Sequence, residues 1–251
     1  MELERLSSPT INIQDWGVVD YETAVNRQLE LVDALAGGDQ SADGQSTRAM
    51  GDTLVFCSHP PVVTLGRATT SEDLIGWDGD TIETARGGRA TYHGPSQLVI
   101  YPIIDLRVRR ADLPEKDIHA YLRVLEQTTV KALQSLGLVE AEARTTQAGE
   151  ISLTGVWVGD KKIASIGIAV RKWISYHGIA INVEDDPQAF RGIRPCGFSS
   201  DVMTSVEAQL RSVASPARSL SADQRSTFLA ELRQELKNAF FERFQPAILP
   251  I

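Results

Sequence analysis

Residues 155–183 constrain the fold more than any other stretch of the chain. They read GVWVGDKKIASIGIAVRKWISYHGIAINV. Valine and isoleucine favour strands, and the pairs Gly159-Asp160 and Arg171-Lys172 mark two turns within the run. The segment therefore predicts three successive strands that pair as an antiparallel meander.

Three other segments carry apolar residues at helical spacing. Residues 20–36 predict a first helix, and residues 113–136 predict a second one with Pro114 in its first turn. A third helix is expected to begin at Ser221, because Ser221 and Gln224 form a capping box there. We expect this last helix to pack on the surface of the domain.

Short apolar runs predict further strands over residues 53–59 and 62–66, which Pro60-Pro61 separates, and over residues 97–103. Strands, helices and meander together predict an α/β fold, with helices packed on a mixed sheet. Since no internal repeat or linker interrupts the chain, residues 1–251 are expected to form a single domain and a monomer. A polar surface loop is expected at residues 37–52, and a helical extension at about residues 206–251.

The composition excludes several classes of protein. Apolar residues make up 42% of the chain and the net charge is -8, which argues against a nucleic-acid partner. No apolar run approaches the ~20 residues of a membrane span, and the N-terminus lacks the basic and apolar regions of a signal peptide. Two cysteines do not make a disulfide framework. We therefore expect a cytoplasmic protein without a membrane partner.

The segment IRPCGFSSDVMTS contains Cys196, between a proline and a glycine. One interpretation is a buried and inert residue, the usual state of a lone cysteine. The other is a nucleophile, which needs a nearby cation because a thiol with a pKa of ~8.5 is only a few per cent thiolate near neutral pH. The sequence offers Lys162, His93 and His177 for that purpose. Cys57, inside a predicted strand, is expected to be buried and neutral.

Two glycines between two arginines open the segment RGGRATYHGPS, residues 86–96. Glycine lets backbone N–H groups approach a ligand, so this is either a binding loop for an acyl or phosphate-bearing group or a plain tight turn. In the segment KIASIG, the small residues Ser165 and Gly167 open a pocket wall. Lys162 is either solvated beyond a turn or turned inward to stabilise an anion.

No cofactor or metal is expected from the motifs. The four histidines lack the spacing of metal ligands, and two cysteines do not complete a closed zinc site. The chain also has neither a P-loop nor a G-x-G-x-x-G motif.

Four segments in this order make the chain resemble the lipoyl(octanoyl) transferases, which make protein-bound lipoate. They are RGGRATYH, KIASIG, HGIAINV and PCGF, with HPPVVTLGR as a further piece. The resemblance covers about residues 53–205 and implies an α/β domain related to the catalytic domains of lipoate and biotin protein ligases. It also implies an activity, the transfer of an octanoyl group from octanoyl-acyl carrier protein to a lysine of a lipoyl domain.

The resemblance implies a role for each matching residue. Cys196 is the nucleophile that carries the octanoyl thioester, and Lys162 lies beside it, stabilises the thiolate and serves as acid and base. The implied walls of the acyl pocket are Arg86, Gly87, Gly88, Arg89, Ala90, Thr91, Tyr92, His93, Ser165, Ile166, Gly167, Gly178, Ile179 and Ala180. Two departures from the family pattern are Ser96, where glycine is usual, and Phe198, where an aliphatic residue is common.

The implied acceptors are the lipoyl domains of 2-oxoacid dehydrogenase E2 subunits and the glycine-cleavage H protein. Acyl carrier proteins are acidic, as this chain is, so an encounter with the donor needs a local basic patch. The sequence offers six arginines for that patch: Arg67, Arg86, Arg89, Arg107, Arg109 and Arg110.

Two other functions stay open from the sequence. An ATP-dependent lipoate- or biotin-protein ligase shares the implied fold, but it needs no cysteine nucleophile and usually carries a different lysine strand. A non-catalytic protein that binds lipoyl domains or acyl carriers would keep full function when Cys196 is replaced by serine.

Overall fold

The predicted meander lies in a seven-stranded sheet of the computed structural model, which describes residues 11–37, 51–144, 153–214 and 221–244. The strands are β1 (Asn12–Val18), β2 (Thr53–Ser58), β3 (Val62–Leu65), β4 (Thr81–Glu83), β5 (Thr91–His93), β6 (Gln97–Ile103), β7 (Ala141–Ala143), β8 (Gly155–Val158), β9 (Lys161–Arg171) and β10 (Ile174–Asn182). The helices are α1 (Tyr21–Ala36), α2 (Ile118–Ser135), α3 (Val206–Ala214) and α4 (Ala222–Phe244).

The large sheet has the strand order β1-β2-β6-β10-β9-β8-β7. Its neighbours pair antiparallel, except for the parallel pair of β1 and β2. Strands β8, β9 and β10 are consecutive, which confirms the meander. A second sheet of order β4-β3-β5 lies beside it and again mixes parallel and antiparallel pairs.

Successive side chains of β2 belong to two different apolar clusters, so the core has two layers. Leu54 and Phe56 belong to the apolar cluster that contains α2 and α4, whereas Val55 and Cys57 belong to the cluster that contains α1. Because successive side chains of a strand point to opposite faces, helices cover both faces of the large sheet. The α/β prediction, a mixed sheet with packed helices, is confirmed.

Helix α4 completes the first of these layers. Leu232, Leu236, Phe240 and Phe244 are buried in the main core, so the helix is an integral part of the domain's packing. Its predicted capping box is confirmed, since the Gln224 amide donates to Ser221 Oγ at 3.2 Å and the Ser221 amide donates to Gln224 Oε1 at 2.9 Å.

The predicted start of α2 is wrong by five residues. Leu113 pairs with Arg110 through backbone hydrogen bonds of 3.0 and 3.2 Å, and a residue that precedes a proline disfavours the helical region. The helix begins at Ile118 instead, after Asp117, whose side chain accepts a bond from the Ala120 amide at 2.8 Å.

The six arginines do not form one basic patch. Arg86 and Arg110 are buried, and Arg110 is paired with Asp52 and donates to the Phe244 carbonyl at the end of α4. Of the others, Arg89 and Arg107 form ion pairs with Asp73 and Asp105, and Arg67 and Arg109 are exposed.

The structure tests only in part the predictions of a polar loop at residues 37–52 and of a chain without a membrane span. Most of the polar loop at residues 37–52 lies outside the described residues. Within the described part of the chain, no helix combines the length and the apolar character needed to cross a bilayer.

Candidate active site

A cleft lies on the α1 side of the large sheet, between β9 and β10 below and the glycine loop at residues 86–88 above. Its volume is about 450 Å³, counting its opening to solvent. It is lined by Tyr21, Arg86, Gly87, Gly88, Thr91, His93, Val99, Tyr101, Ser165, Ile166, Gly167, His177, Gly178, Ile179, Ala180 and Cys196. The lining is largely apolar side chains and backbone, with the Cys196 thiol as its one nucleophilic sulfur.

Cys196 is held in an unusual backbone conformation. Its φ is 56° and ψ is 20°, in the left-handed region that non-glycine residues rarely occupy. Its amide donates to the Ala90 carbonyl at 2.9 Å, which ties the Pro-Cys-Gly turn to the segment before β5. Strain of this kind persists where the surroundings impose it and is concentrated at functional sites. The thiol is half-buried, whereas Cys57 is fully buried.

Arg89 supports the cysteine turn from outside the cleft. A Cβ added to Gly197, whose φ is 86°, would lie 2.5 Å from Arg89 Nη1. The guanidinium is itself fixed by Asp73, with Nε to Oδ2 at 3.0 Å and Nη2 to Oδ1 at 2.7 Å. Arg89 therefore packs against the Pro-Cys-Gly turn and is a cation near Cys196. The sequence had placed Arg89 in the pocket wall.

Arg86 organises the glycine loop. Its side chain is buried and donates to the Thr64 carbonyl at 2.8 Å, the Thr64 hydroxyl at 2.7 Å, and the carbonyls of Gly87 and Arg89 at 3.1 and 2.9 Å. These bonds satisfy the donors of a buried guanidinium and hold the loop in shape.

The glycine loop rests directly on β9 because Gly167 has no side chain. A Cβ at Gly167 would lie 3.2 Å from the Gly87 carbonyl oxygen, closer than most real contacts. The Gly87 amide donates to the Ile168 carbonyl at 2.9 Å. The small residues that the sequence marked as a pocket wall thus bring two backbones together and leave a narrow slot.

Lys162 is turned inward. Its side chain is among the largest fully buried ones, at 1% exposure, and Nζ lies 5.5 Å from the centre of the Trp157 ring and 6.0 Å from that of Phe198. Phe198 follows Cys196 by two residues, so the buried lysine lies close to the segment that carries Cys196. Lys162 does not line the cleft itself.

Space for the lysine depends on Gly155, whose φ is 134°. A Cβ there would lie 2.7 Å from Lys162 Cε and 2.3 Å from the Ala164 carbonyl oxygen. The Gly155 amide donates to Glu126 Oε1 at 3.0 Å, and burial raises the pKa of Glu126, an effect that the Gly155 bond and the charge of Lys162 oppose. Glu126 was missed in the sequence, although a glutamate within the apolar run of α2 was a signal that could have identified it.

Two buried hydroxyls in the cleft have no hydrogen-bond partner among the described residues, Thr91 Oγ1 and Ser165 Oγ. A buried polar group without a partner costs free energy, so these hydroxyls are suited to bind a ligand. Backbone donors are less available, because the amides of Cys196, Gly197 and Gly87 already donate to carbonyls.

The inner end of the cleft is built from neutral aromatic side chains. Nε2 of His59 forms a hydrogen bond of 2.7 Å with the Tyr101 hydroxyl, and Nδ1 lies 2.7 Å from the Val19 carbonyl oxygen. Burial lowers the pKa of His59 and His93 and lowers that of His177 to about 3. It also raises the pKa of Tyr21 to about 12. These side chains are therefore uncharged at neutral pH and compatible with an apolar ligand.

The structure brings most of the predicted pocket residues together. Those in the cleft lining are Arg86, Gly87, Gly88, Thr91, His93, Ser165, Ile166, Gly167, Gly178, Ile179 and Ala180. Three others lie elsewhere: Arg89 packs on Gly197, the Ala90 carbonyl accepts the Cys196 amide, and Tyr92 packs against Trp77 and Phe190.

Sequence reasoning missed three lining residues, Tyr21, Val99 and Tyr101. Each belongs to an apolar periodic segment, where it is indistinguishable from an ordinary core residue. His177, which the sequence offered only as a cation near the cysteine, lies at the inner end of the cleft.

The chain matches the sequence profile of the family described as the lipoyl protein ligase A/B catalytic domain over residues 20–240. It is 46% identical over 199 residues to an octanoyltransferase of Bdellovibrio bacteriovorus, a match that covers 77% of this chain and 86% of that protein. It is 34% identical over 232 residues to one of Cytophaga hutchinsonii, covering 85% and 89%.

Two solved structures share the fold. One is a putative lipoate protein ligase from T. acidophilum with bound lipoic acid, at a TM-score of 0.60 and 20% identity, covering 92% of this chain and 84% of that one. The other is a lipoate-protein ligase A bound with ATP, at a TM-score of 0.55 and 20% identity, covering 96% and 88%. At such identities the similarity concerns the fold alone, and it agrees with the fold that the sequence implied.

Proposed function

The chain belongs to the lipoyl protein ligase A/B catalytic-domain family and, within it, to the octanoyltransferases, and from this premise we propose a mechanism by which it transfers an octanoyl group in lipoate biosynthesis. The donor in this proposal is octanoyl-acyl carrier protein and the acceptor is a lysine of a lipoyl domain. The intermediate is a thioester on Cys196. The observation that carries the proposal is a strained, half-buried thiol beside a narrow apolar cleft.

The first half-reaction exchanges one thioester for another. The Cys196 thiolate attacks the carbonyl carbon of the donor, a new S–C bond forms, and the C–S bond to the carrier's thiol breaks. The departing thiolate takes up a proton from the Lys162 ammonium, which is left as a neutral amine. Since a thioester is exchanged for a thioester, the step is nearly isoenergetic and needs no ATP.

The second half-reaction forms the product amide. The acceptor amine attacks the acyl-enzyme carbonyl, a C–N bond forms, the S–C bond to Cys196 breaks and the thiolate is regenerated. The amine loses one proton, which the neutral Lys162 amine is proposed to accept, so that its ammonium is restored for the next cycle. The amide is more stable than the thioester, which drives the transfer forward.

The unpartnered hydroxyls of Thr91 and Ser165 support a role in binding the carbonyl oxygen. Each can donate a hydrogen bond as negative charge develops on that oxygen. The amide of Gly197 is already used, because it donates to the Arg194 carbonyl at 3.0 Å. We therefore assign the oxyanion contact to the two side chains.

The choice of acceptor follows from the family. A related solved structure is described as an archaeal bi-partite lipoate protein ligase with its E2 lipoyl domain. Lipoyl domains of E2 subunits and the glycine-cleavage H protein are the acceptors that we propose for this chain.

An ATP-free assay tests the proposed function. We expect purified enzyme to octanoylate an apo lipoyl domain from octanoyl-acyl carrier protein without ATP, with ping-pong kinetics, as followed by intact mass of the acceptor. Activity only with ATP and free octanoate would identify a ligase instead. Binding of both proteins with no transfer under either condition would identify a non-catalytic binder.

Lys162→Met tests the buried ammonium. Methionine is similar in length and apolar, so the site beneath Phe198 stays filled while the charge is lost. We expect transfer to fall by about 10²-fold to 10⁴-fold, the usual contribution of a positioned acid or base, and alkylation of Cys196 by iodoacetamide to need higher pH.

Lys161→Met is the matched control, because Lys161 is the neighbouring lysine of β9 and its ammonium donates to the carbonyl of the exposed Asp201 at 2.8 Å. Wild-type transfer by the Lys162→Met enzyme would contradict the proposed role of the ammonium.

A further inference from the structure

Two cavities of the molecule share a wall made of Tyr21 and His177. The first is the cleft described above, and the second lies between α1 and the residues that follow β4, with a volume of about 800 Å³ counting its opening. Apart from the shared pair, the second cavity is lined by Glu22, Val25, Asn26, Leu29, Ile82, Glu83, Thr84, Ala85 and Tyr176. Since both cavities touch the same two side chains, the wall between them is one side chain thick.

The wall lies at the far end of the cleft from the nucleophile. Phe198, which follows the cysteine turn, packs on Trp157 at a ring distance of 5.6 Å, and Trp157 pairs with Lys162 of β9. At the other end of the cleft, His177 pairs with Ile168, six residues further along β9. A chain attached at Cys196 and running along β9 therefore approaches the wall with its terminal carbons.

The distance along β9 matches an eight-carbon chain. Ser165, the lining residue closest in sequence to Lys162, is three residues before Ile168, which is about 10 Å along a strand. The seven C–C bonds of an extended octanoyl chain, at about 1.5 Å each in a zigzag, span roughly 9 Å. An octanoyl chain that begins beside Ser165 and follows β9 would therefore end near the wall that contains Tyr21.

The Tyr21 ring is packed tightly in this position. It stacks on His93 with the ring centres 5.5 Å apart and on His177 at 6.5 Å, and it meets His59 edge-on at 5.2 Å. Its hydroxyl lies 3.4 Å from His177 Nδ1, and the residue is 2% exposed. As the first residue of α1 it is also held by the helix cap at Asp20.

We propose that Tyr21, backed by His177, ends the acyl slot and sets the length of chain that the enzyme accepts. The inference rests on the proposed function, because it names the specificity of the same site. A longer chain would have to displace a ring that is packed among three histidines, and overfilling a packed site is unfavourable. Without the ring, the cleft opens into the second cavity, where Val25 and Leu29 offer apolar surface.

A competition between octanoyl- and dodecanoyl-carrier protein tests this inference. The readout is the ratio of dodecanoyl to octanoyl adducts on the enzyme by intact mass, together with kcat/KM for each donor. We expect wild type to take the octanoyl group and Tyr21→Ala to raise the ratio at least 10-fold, because one methylene in an apolar pocket is worth about 10-fold or more. Tyr21→Leu, a milder opening, is the second variant if alanine prevents folding.

Three controls separate length from other effects. Tyr21→Phe keeps the ring and should leave the ratio within about two-fold of wild type. Val25 lines only the second cavity, one helical turn from Tyr21, so Val25→Phe alone should not change octanoyl transfer. Tyr21→Ala with Val25→Phe should return the ratio toward the wild-type value, since the second cavity is refilled.

The outcomes distinguish this inference from the proposed function. No octanoyl adduct on the wild-type enzyme would overturn the proposed function. A wild-type octanoyl adduct with an unchanged chain-length ratio in folded Tyr21→Ala or Tyr21→Leu enzyme would overturn only the role of Tyr21. Equal use of both donors by wild type would also overturn it, because the wall would then not stop the chain.

Discussion

Cys196→Ala is expected to abolish octanoyl transfer while the enzyme stays folded. Loss of a covalent nucleophile removes the whole two-step route, and in other acyl-transfer enzymes such a change costs several orders of magnitude in kcat. We expect a loss of at least about 10³-fold here. Incubation with octanoyl-carrier protein should leave the mass of the variant unchanged, whereas wild type should gain one octanoyl group.

The two cysteines of the chain provide a matched comparison. Cys57 is fully buried in the core layer beneath α1, and burial raises the pKa of its thiol, so it should remain unacylated. Cys57→Ala is expected to cost about 1 kcal/mol of stability through a small cavity but to keep transfer. An octanoyl adduct that persists in Cys196→Ala enzyme, or that maps to Cys57, would contradict the assignment.

Acid should unfold the protein through its buried histidines. The folded state lowers the pKa of His59 and His93, and that of His177 to about 3, mainly because burial disfavours the charged ring. An unfolded histidine has a pKa of ~6.5, so below that pH the unfolded chain binds more protons than the folded one. Stability is therefore fully present above about pH 6.5 and falls as the pH falls toward the folded pKa values.

The size of the acid effect is large relative to the stability of a domain. Each fully buried neutral histidine costs about 1.4 kcal/mol per pH unit below 6.5. His177, whose pKa is lowered to about 3, therefore removes about 2 kcal/mol by pH 5, out of the roughly 5–15 kcal/mol that a folded domain has. Burial of His93 acts in the same direction. Urea unfolding at a series of pH values between 7 and 4.5 measures this slope.

Two histidine variants make the measurement specific. His177 has a φ of 58°, a conformation that asparagine tolerates well, so His177→Asn should reduce the slope by about one proton per molecule. His119 is exposed at the start of α2, and His119→Gln should leave the slope unchanged. A wild-type stability that does not change between pH 7 and 5 would show that the buried histidines are not the neutral groups that the structure indicates.

Local patterns were sufficient to predict most of the elements that position the site. The β-branched meander, the helix at residues 20–36 and the capping box at Ser221 depend on neighbours in the chain, so their signals are present in short windows. The start of α2 was predicted wrongly because the predicted helix included Leu113, whose backbone pairs with Arg110 instead, and Pro114, which follows it. Strands β1, β4, β5 and β7 were not predicted. All four lie at the edges of their sheets, and β4, β5 and β7 have only three residues each, which leaves little pattern.

The chemical groups of the candidate site were also visible in the sequence, but their arrangement was not. Lys162 is 34 residues from Cys196, and only the pairing of β8 with β9 and the packing of Trp157 on Phe198 place the lysine beneath the cysteine turn. The sequence does not distinguish Arg86 from Arg89. In the structure Arg86 is buried and holds the glycine loop, whereas Arg89 packs against Gly197. Such contacts join distant segments, and sequence spacing does not report the distances between them.

What the sequence determined by itself was the fold class and the family-like motifs, because both are encoded in consecutive residues. What only the tertiary structure decided was the shape of the slot. Tyr21 on α1, His93 on β5 and His177 on β10 stack into one wall, although each alone resembles an ordinary core residue. Their joint position follows from the packing of a helix and two sheets around one cleft, which is a property of the folded chain and not of any segment of it.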